Sequence, residues 1–183
     1  MVTPLVVITG PSGVGKGTLI KGLLERVPCI HVAVSATTRP PRPGEVDGRD
    51  YYFLSPEEFE RRVRAGEFVE HAVYAGNRYG TLRSELERPV RAVLLEIDVQ
   101  GARQIRAQRP DALLVFIAPP SLDELERRLR RRGADSEEQI AKRLAAAREE
   151  LAARDEFAHV IVNDDAERAL AELERLVGKI VAR

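Results

Sequence analysis

The chain has 183 residues, enough for one substantial core and too few for two large independent domains. Its 29 Lys+Arg are balanced by 29 Asp+Glu, which excludes a global basic field that would draw it to nucleic acid or an anionic membrane; any site for a polyanion has to be local. A single cysteine, Cys29, excludes an intramolecular disulfide framework, and the three histidines (His31, His71, His159) are scattered without metal-ligand spacing.

Short apolar runs at 5–8, 30–34, 90–97, 112–118 and 160–162 alternate with longer amphipathic, charged stretches, the pattern of a parallel sheet covered by helices. After the first run comes TGPSGVGKGT, and a helix is expected over 18–26. A strand, then G-x-x-x-x-G-K, then a helix lets backbone N–H groups curl around a phosphate while the helix N-terminus adds its positive dipole end. The candidate residues are Gly10, Pro11, Ser12, Gly13, Val14, Gly15, Lys16, Gly17 and Thr18, with Lys16 as a point charge between the outer phosphates of a nucleoside triphosphate. Gly17 stands where the motif asks for Ser or Thr, so a direct hydroxyl ligand to Mg²⁺ is not assigned; the G-K-G-T order resembles that of adenylate kinases, which implies a metal held largely through phosphates and water.

Residues 36–80 break the rhythm with a segment rich in Pro, Gly, Arg and aromatics, read as an insertion in the α/β core. Within it Arg39 and Arg42 lie three apart among three prolines, which suits either a phosphate clamp or a solvated loop. Helix starts are marked by Ser55 with Glu58, Ser121 with Glu124, and Ser136 with Gln139, each a capping-box pattern. Asp98, between an apolar run and a helical stretch, either caps the helix or faces a metal at the strand end. The run RRLRRR at 127–132 reads by default as a solvated helix face, and Asn163-Asp164-Asp165 as a helix cap or a nucleotide contact.

The segments SATTRPPRPGEVDGRDYYF, GEFVEHAVYAGNRYGT, LLEIDVQG and VIVNDD closely resemble those of guanylate kinases, and the resemblance covers essentially the whole chain. It implies a P-loop kinase: a five-stranded parallel sheet flanked by helices (1–35, 82–125 and 151–183), an inserted small mixed α/β GMP-binding domain (36–81) and a helical lid (126–150). It implies that Arg39, Arg42, Tyr51 and Tyr79 hold the GMP phosphate, and that Ser35, Glu70 and Thr81 meet guanine. A carboxylate at 70 can accept from N1–H and the exocyclic amine, which adenine does not offer on that edge, and the two hydroxyls can donate to O6. Asp98 would neighbour Mg²⁺, with Glu96 on the same strand and near GMP. Arg128, Arg132 and Arg143 would swing over the phosphates, residues 133–139 forming the mobile tip, and Asn163 would lie near the adenine.

The expected activity is transfer of the ATP γ-phosphoryl group to GMP and dGMP, Mg²⁺-dependent and without a covalent intermediate. Two rivals are an interaction module that has lost catalysis, against which Lys16 and the lid arginines argue, and a kinase of phosphorylated sugars, against which Glu70, Tyr79 and Thr81 argue. With no basic region ahead of the first apolar run and no apolar stretch near the roughly 18 to 20 residues that span a bilayer, the expectation is a soluble cytoplasmic protein with no nucleic-acid or membrane partner, its oligomeric state open.

Overall fold

The computed structural model describes residues 3–131, 133 and 136–182. Five parallel strands, β1 (Leu5–Thr9), β2 (Ile30–Val32), β7 (Ala92–Glu96), β8 (Leu113–Ala118) and β9 (His159–Val162), form one sheet in the order β2-β7-β1-β8-β9. Period-two alternation divides its apolar residues between two cores. Val6, Ile8, Leu94, Val115 and Ile117 pack on one side with Leu19, Ile20 and Leu23 of α1 (Lys16–Arg26) and Leu173 and Val177 of α6 (Ala166–Val181). Leu5, Val7, Val93, Leu95 and Phe116 pack on the other with Val99, Ala102 and Ile105 of α3 (Val99–Gln108). Burial on both faces explains why these strands read as continuous apolar runs.

The second sheet, order β4-β3-β6-β5, is built by residues 35–82, one residue beyond the expected insertion at each end: β3 (Ser35–Thr37), β4 (Tyr52–Phe53), β5 (Phe68–Tyr74) and β6 (Asn77–Leu82). It is mixed, with β3 and β4 parallel and the β3–β6 and β6–β5 pairs antiparallel. Helix α2 (Pro56–Arg64) covers one face through Phe59, which stacks on Phe68 at 4.5 Å between ring centroids. The run expected as one strand at 30–34 is split: the chain leaves the large sheet at Val32 and joins the small one at Ser35. A continuous apolar run carries no mark of such a crossing, because both sheets bury it.

All three serine caps begin helices. Ser55 accepts from Glu58 N–H at 3.1 Å at the start of α2, and Ser121 from Glu124 N–H at 3.1 Å at the start of α4 (Leu122–Arg131). Ser136 and Gln139 complete a reciprocal capping box ahead of α5 (Glu137–Ala152). Helices α4 and α5 pack through Leu125, Leu129 and Ala147, and both run through the expected lid limits at 126 and 150 without a break. None of the described helices is long and apolar enough to cross a membrane.

Candidate active site

The loop between β1 and α1 turns on glycines at positive φ: Gly10 (135°), Gly13 (88°) and Gly15 (100°), a backbone region closed to most side chains. Space decides the matter as well, since a Cβ at Gly10 would stand 2.2 Å from the Ile117 carbonyl oxygen. The Lys16 ammonium donates across the loop to the carbonyls of Gly10 (2.5 Å) and Pro11 (3.1 Å), which folds a cation back over the loop from the first turn of α1. The loop is fastened from behind. Buried Asn163, after β9, donates through Nδ2 to the Val14 carbonyl at 2.8 Å, and Arg128 on α4 donates to the Asn163 carbonyl at 2.9 Å. Asn163, expected beside adenine, thus gives one of its two amide N–H groups to the loop itself.

Opposite the loop, cross-strand pairing aligns Ser35 on β3, Thr81 on β6 and Glu70 on β5 in one row. Two residues along, with the same outlook on the pleat, Tyr79 pairs with Ala72. One cleft of about 750 Å³ is lined by Gly10, Ser12, Gly13, Gly15, Lys16, Gly17 and Thr18 on one side and by Ser35, Tyr51, Glu70, Ala72, Tyr74 and Tyr79 on the other. Glu96 and Asp98 form its floor at the carboxyl end of β7. The fold therefore brings together residues that sequence separates by as much as eighty-odd positions.

Glu70 is a buried carboxyl, 3% exposed, and Thr81 Oγ1 donates to its Oε1 at 2.7 Å. Burial pushes it up to about 7, the Thr81 bond opposing and the charge of Asp98 reinforcing. A hydroxyl has one proton to give. Thr81 gives it to Glu70, so its part in this structure is to orient the carboxylate, a different task from the expected donation to O6. Asp98 takes the first of the two roles left open by the sequence: Oδ1 caps α3 by accepting from Gly101 N–H at 2.8 Å, and the residue also lines the cleft. Burial raises its carboxyl too, while the cap bond and those of Gln100 pull it down.

A wider recess of about 1,090 Å³ adjoins the first, sharing Ser12, Tyr51, Tyr74, Tyr79, Asp98 and Glu150 with it, and holds Arg39, Arg42 and, from α5, Lys142 and Arg143. Arg39 is held in a box. Its guanidinium pairs bidentately with Glu45 (3.0 and 2.9 Å) and lies 5.2 Å from the Tyr51 ring centroid, and Tyr51 meets the Tyr79 ring edge-on at 6.1 Å. Glu45 also accepts from the backbone N–H of Arg42 at 2.7 Å, so one carboxylate holds the Arg39 side chain and the main chain at Arg42. Arg143 Nη1 reaches Ser12 Oγ at 3.4 Å, tying α5 loosely to the glycine-rich loop. Arg132 and two positions of the expected lid tip, 134 and 135, lie outside the described residues.

Two contributors escaped sequence reasoning. Glu45 carries no signal of its own in the sequence, and only the six-residue return of the chain onto Arg39 reveals it. Glu150, inside the expected lid helix, lines both cavities; burial pushes its carboxyl up to about 7, with Lys16 opposing and Asp98 reinforcing. No spacing in the sequence links it to residues more than fifty positions away. Among the described residues no group of three or more His, Cys, Asp or Glu could hold a metal ion. The carboxylates at hand, Glu96 and Asp98, suit a hard cation that keeps its waters and arrives on phosphates, which is the ordinary habit of Mg²⁺.

An anion loop on a parallel sheet, facing a smaller sheet across one cleft and flanked by an arginine-bearing helix pair, defines a P-loop kinase. The sequence profile of the guanylate kinase family matches residues 2–180, and the chain belongs to that family. A guanylate kinase of Nostoc sp. is 57% identical over 93% of this chain and 87% of its own length. One from Rubrobacter xylanophilus is 54% identical over 97% and 95%, respectively. The crystal structure of guanylate kinase from Anaplasma phagocytophilum superposes with a TM-score of 0.78 at 35% identity, covering 97% of this chain and 86% of that one.

Proposed function

We infer that the chain catalyses reversible transfer of the γ-phosphoryl group of ATP to GMP, giving ADP and GDP, and so feeds GTP and dGTP supply and recycles GMP. The observation that carries this reading is the shared cleft, which sets a buried carboxylate, Glu70, across from the Lys16 loop. The loop from Gly10 to Thr18 cradles the triphosphate, and Lys16 offsets charge that grows on the outer phosphates in the transition state. The ionised Glu70 accepts from N1–H and the exocyclic amine of guanine. Ser35 donates to O6 and Thr81 holds the carboxylate in line.

Arg39, Arg42, Tyr51 and Tyr79 take the GMP phosphate, which displaces the Glu45 carboxylate from Arg39; both anions suit the same bidentate fork. The insertion, 36–81, serves as the acceptor domain. The α4–α5 pair, over 126–150, serves as the lid, with Arg128, Arg132 and Arg143 as the lid cations. Closure excludes water that would otherwise take the phosphoryl group. No general base is needed, because the acceptor is already an anion. Asp98, with Glu96 beside it, would hold Mg²⁺ through water, and the bound ion would neutralise phosphate charge during transfer. Since the proposed base contacts leave the ribose 2′ position unread, dGMP is accepted as well. A cytoplasmic setting, where ATP and GMP meet, fits the activity.

A coupled assay of ADP release, with GMP, AMP and ribose bisphosphate offered separately, tests the assignment. Turnover with GMP should exceed that with AMP by about a thousandfold or more, the scale on which a hydrogen-bonding site rejects an analogue that leaves its groups unpaired. Comparable turnover with AMP or the sugar phosphate would remove it.

A further inference from the structure

We propose that Gly101 is a positioning residue for guanine recognition: the missing side chain at this turn of α3 leaves the room in which the Glu70 carboxylate sits. This rests on the reading of Glu70 as the group that meets the base. Gly101 is the third residue of α3, and its φ is not among the positive ones, so its backbone does not call for glycine. Within a helix glycine is a poor choice unless something needs the space. Here something does. A Cβ on Gly101 would stand 2.4 Å from Glu70 Oε2 and 3.1 Å from its Cδ, with Ile97 Cδ1 at 3.2 Å.

Neither partner can easily retreat. Helix α3 is fastened along the free edge of β5 by three glutamines at helical spacing. Gln100 donates to the Val73 carbonyl (3.1 Å), Gln108 to the Val69 carbonyl (2.8 Å), and Gln104 both donates to the His71 carbonyl (2.8 Å) and accepts from His71 N–H (3.1 Å). At its N-terminus the helix is held by Asp98, which accepts from Gly101 N–H itself. Glu70, for its part, is buried and tied to Thr81. The atom in conflict is nevertheless the far end of a side chain rather than backbone, so a methyl at 101 moves the carboxylate and leaves the main chain in place. It either breaks the Thr81 bond or drives the carboxylate into the space meant for the base.

The test is steady-state kinetics of the full chain carrying Gly101→Ala, with GMP and ATP varied in turn. The expected result is a KM for GMP raised about tenfold or more, as sub-ångström to ångström misplacement of a recognition group produces, with KM for ATP within about twofold of the parent. In a Glu70→Asp background, where the carboxylate is one methylene shorter, Gly101→Ala should add no more than about twofold, because the two changes act on one contact. A KM for GMP unchanged by Gly101→Ala overturns the proposal, and so does an equal loss in both backgrounds, which is what a purely structural role gives. If Gly101→Ala alone fails to fold, the double variant with Glu70→Asp must fold and bind ATP; an equally unfolded double variant also overturns the proposal. Glu70→Gln run alongside separates the layers: if it leaves KM for GMP unchanged, the base site lies elsewhere and both readings go, whereas a raised KM there with a silent Gly101→Ala removes only the role of Gly101.

Discussion

At the scale of single residues, the chemistry of Glu70 is set by where the fold puts it. Its carboxyl is raised from 4.5 to about 7 chiefly by burial, so between those values the folded chain holds a proton that the unfolded chain has released. The stability this group contributes is whole below about 4.5 and is lost as pH rises through about 7. Guanine, with two donors on the edge in question, binds the ionised form. KM for GMP should therefore fall as pH rises from about 6 to 8, by up to about tenfold for each unit below the pKa, and Glu70→Gln should abolish that limb while raising KM at pH 8 by about a hundredfold. Kinetics at saturating ATP across that range check it, and the GMP phosphate, which titrates in both proteins, cancels in the comparison. A parallel pH profile in the two proteins would detach the titration from Glu70. Lys16 and Glu70 were both legible in the sequence, one from a motif with its own physics, the other only from a family resemblance. Gly101, Glu45 and Glu150 were not, because what defines each is a neighbour brought near by folding.

At the scale of elements, helices announced themselves through local chemistry. Each serine cap is satisfied within three residues, so the signal and the structure occupy the same short window. The small sheet was less legible: β4 has two residues and β3 three, too short for any alternation, and they exist because β3 pairs with the longer β6 and β4 in turn pairs with β3. The α4–α5 pair has its own small cluster of apolar residues and meets the glycine-rich loop both through polar contacts of Arg128 and Arg143 and where Leu125 and Leu129 close over Gly13. With GMP and a nonreactive ATP analogue both present, amide exchange in α5 and in β3 to β6 should slow by about tenfold or more relative to the free protein, while the cores around β1 and β7 change little. Protection confined to the loop from Gly10 to Thr18 would deny α5 the part of a lid.

At the scale of the whole molecule, the joint between the two sheets has a single organising group that the sequence gives no reason to notice. Glu85, in the 3-10 turn Arg83–Glu87 that follows β6, is 1% exposed. It accepts from Val34 N–H (2.9 Å) where the chain crosses outward, from Tyr52 Oη (2.9 Å) in the small sheet and from Arg88 (2.9 Å), and it meets His31 Nε2 of the large sheet at 2.8 Å. Burial alone would raise this carboxyl, but those four bonds outweigh it and hold it at about 2. Its contribution is present above about 4.5 and is lost as pH falls through about 2. Glu85→Gln should cost roughly 2 to 3 kcal/mol at pH 7 and flatten the loss of stability between those limits, both measurable by denaturant unfolding at a series of pH values. Equal midpoints for the two proteins at pH 7 would show the joint to be held by packing instead.

The chain leaves the large sheet after Val32 and turns back toward it after Leu82, and Ser35 and Thr81, near the two ends of that excursion, face each other as antiparallel strand partners. To the rest of the molecule the acceptor segment is thus a closed loop whose two ends already meet, entered and left through one doorway. Such a segment is a natural unit of exchange: a foreign excursion with ends at the same separation could be spliced in without disturbing the donor loop, and new acceptors could arise that way. The doorway has one condition attached. Because α3 lies against the excursion's edge strand, a transplant has to bring, opposite position 101, a residue that fits against a bare helix turn, as Glu70 does here.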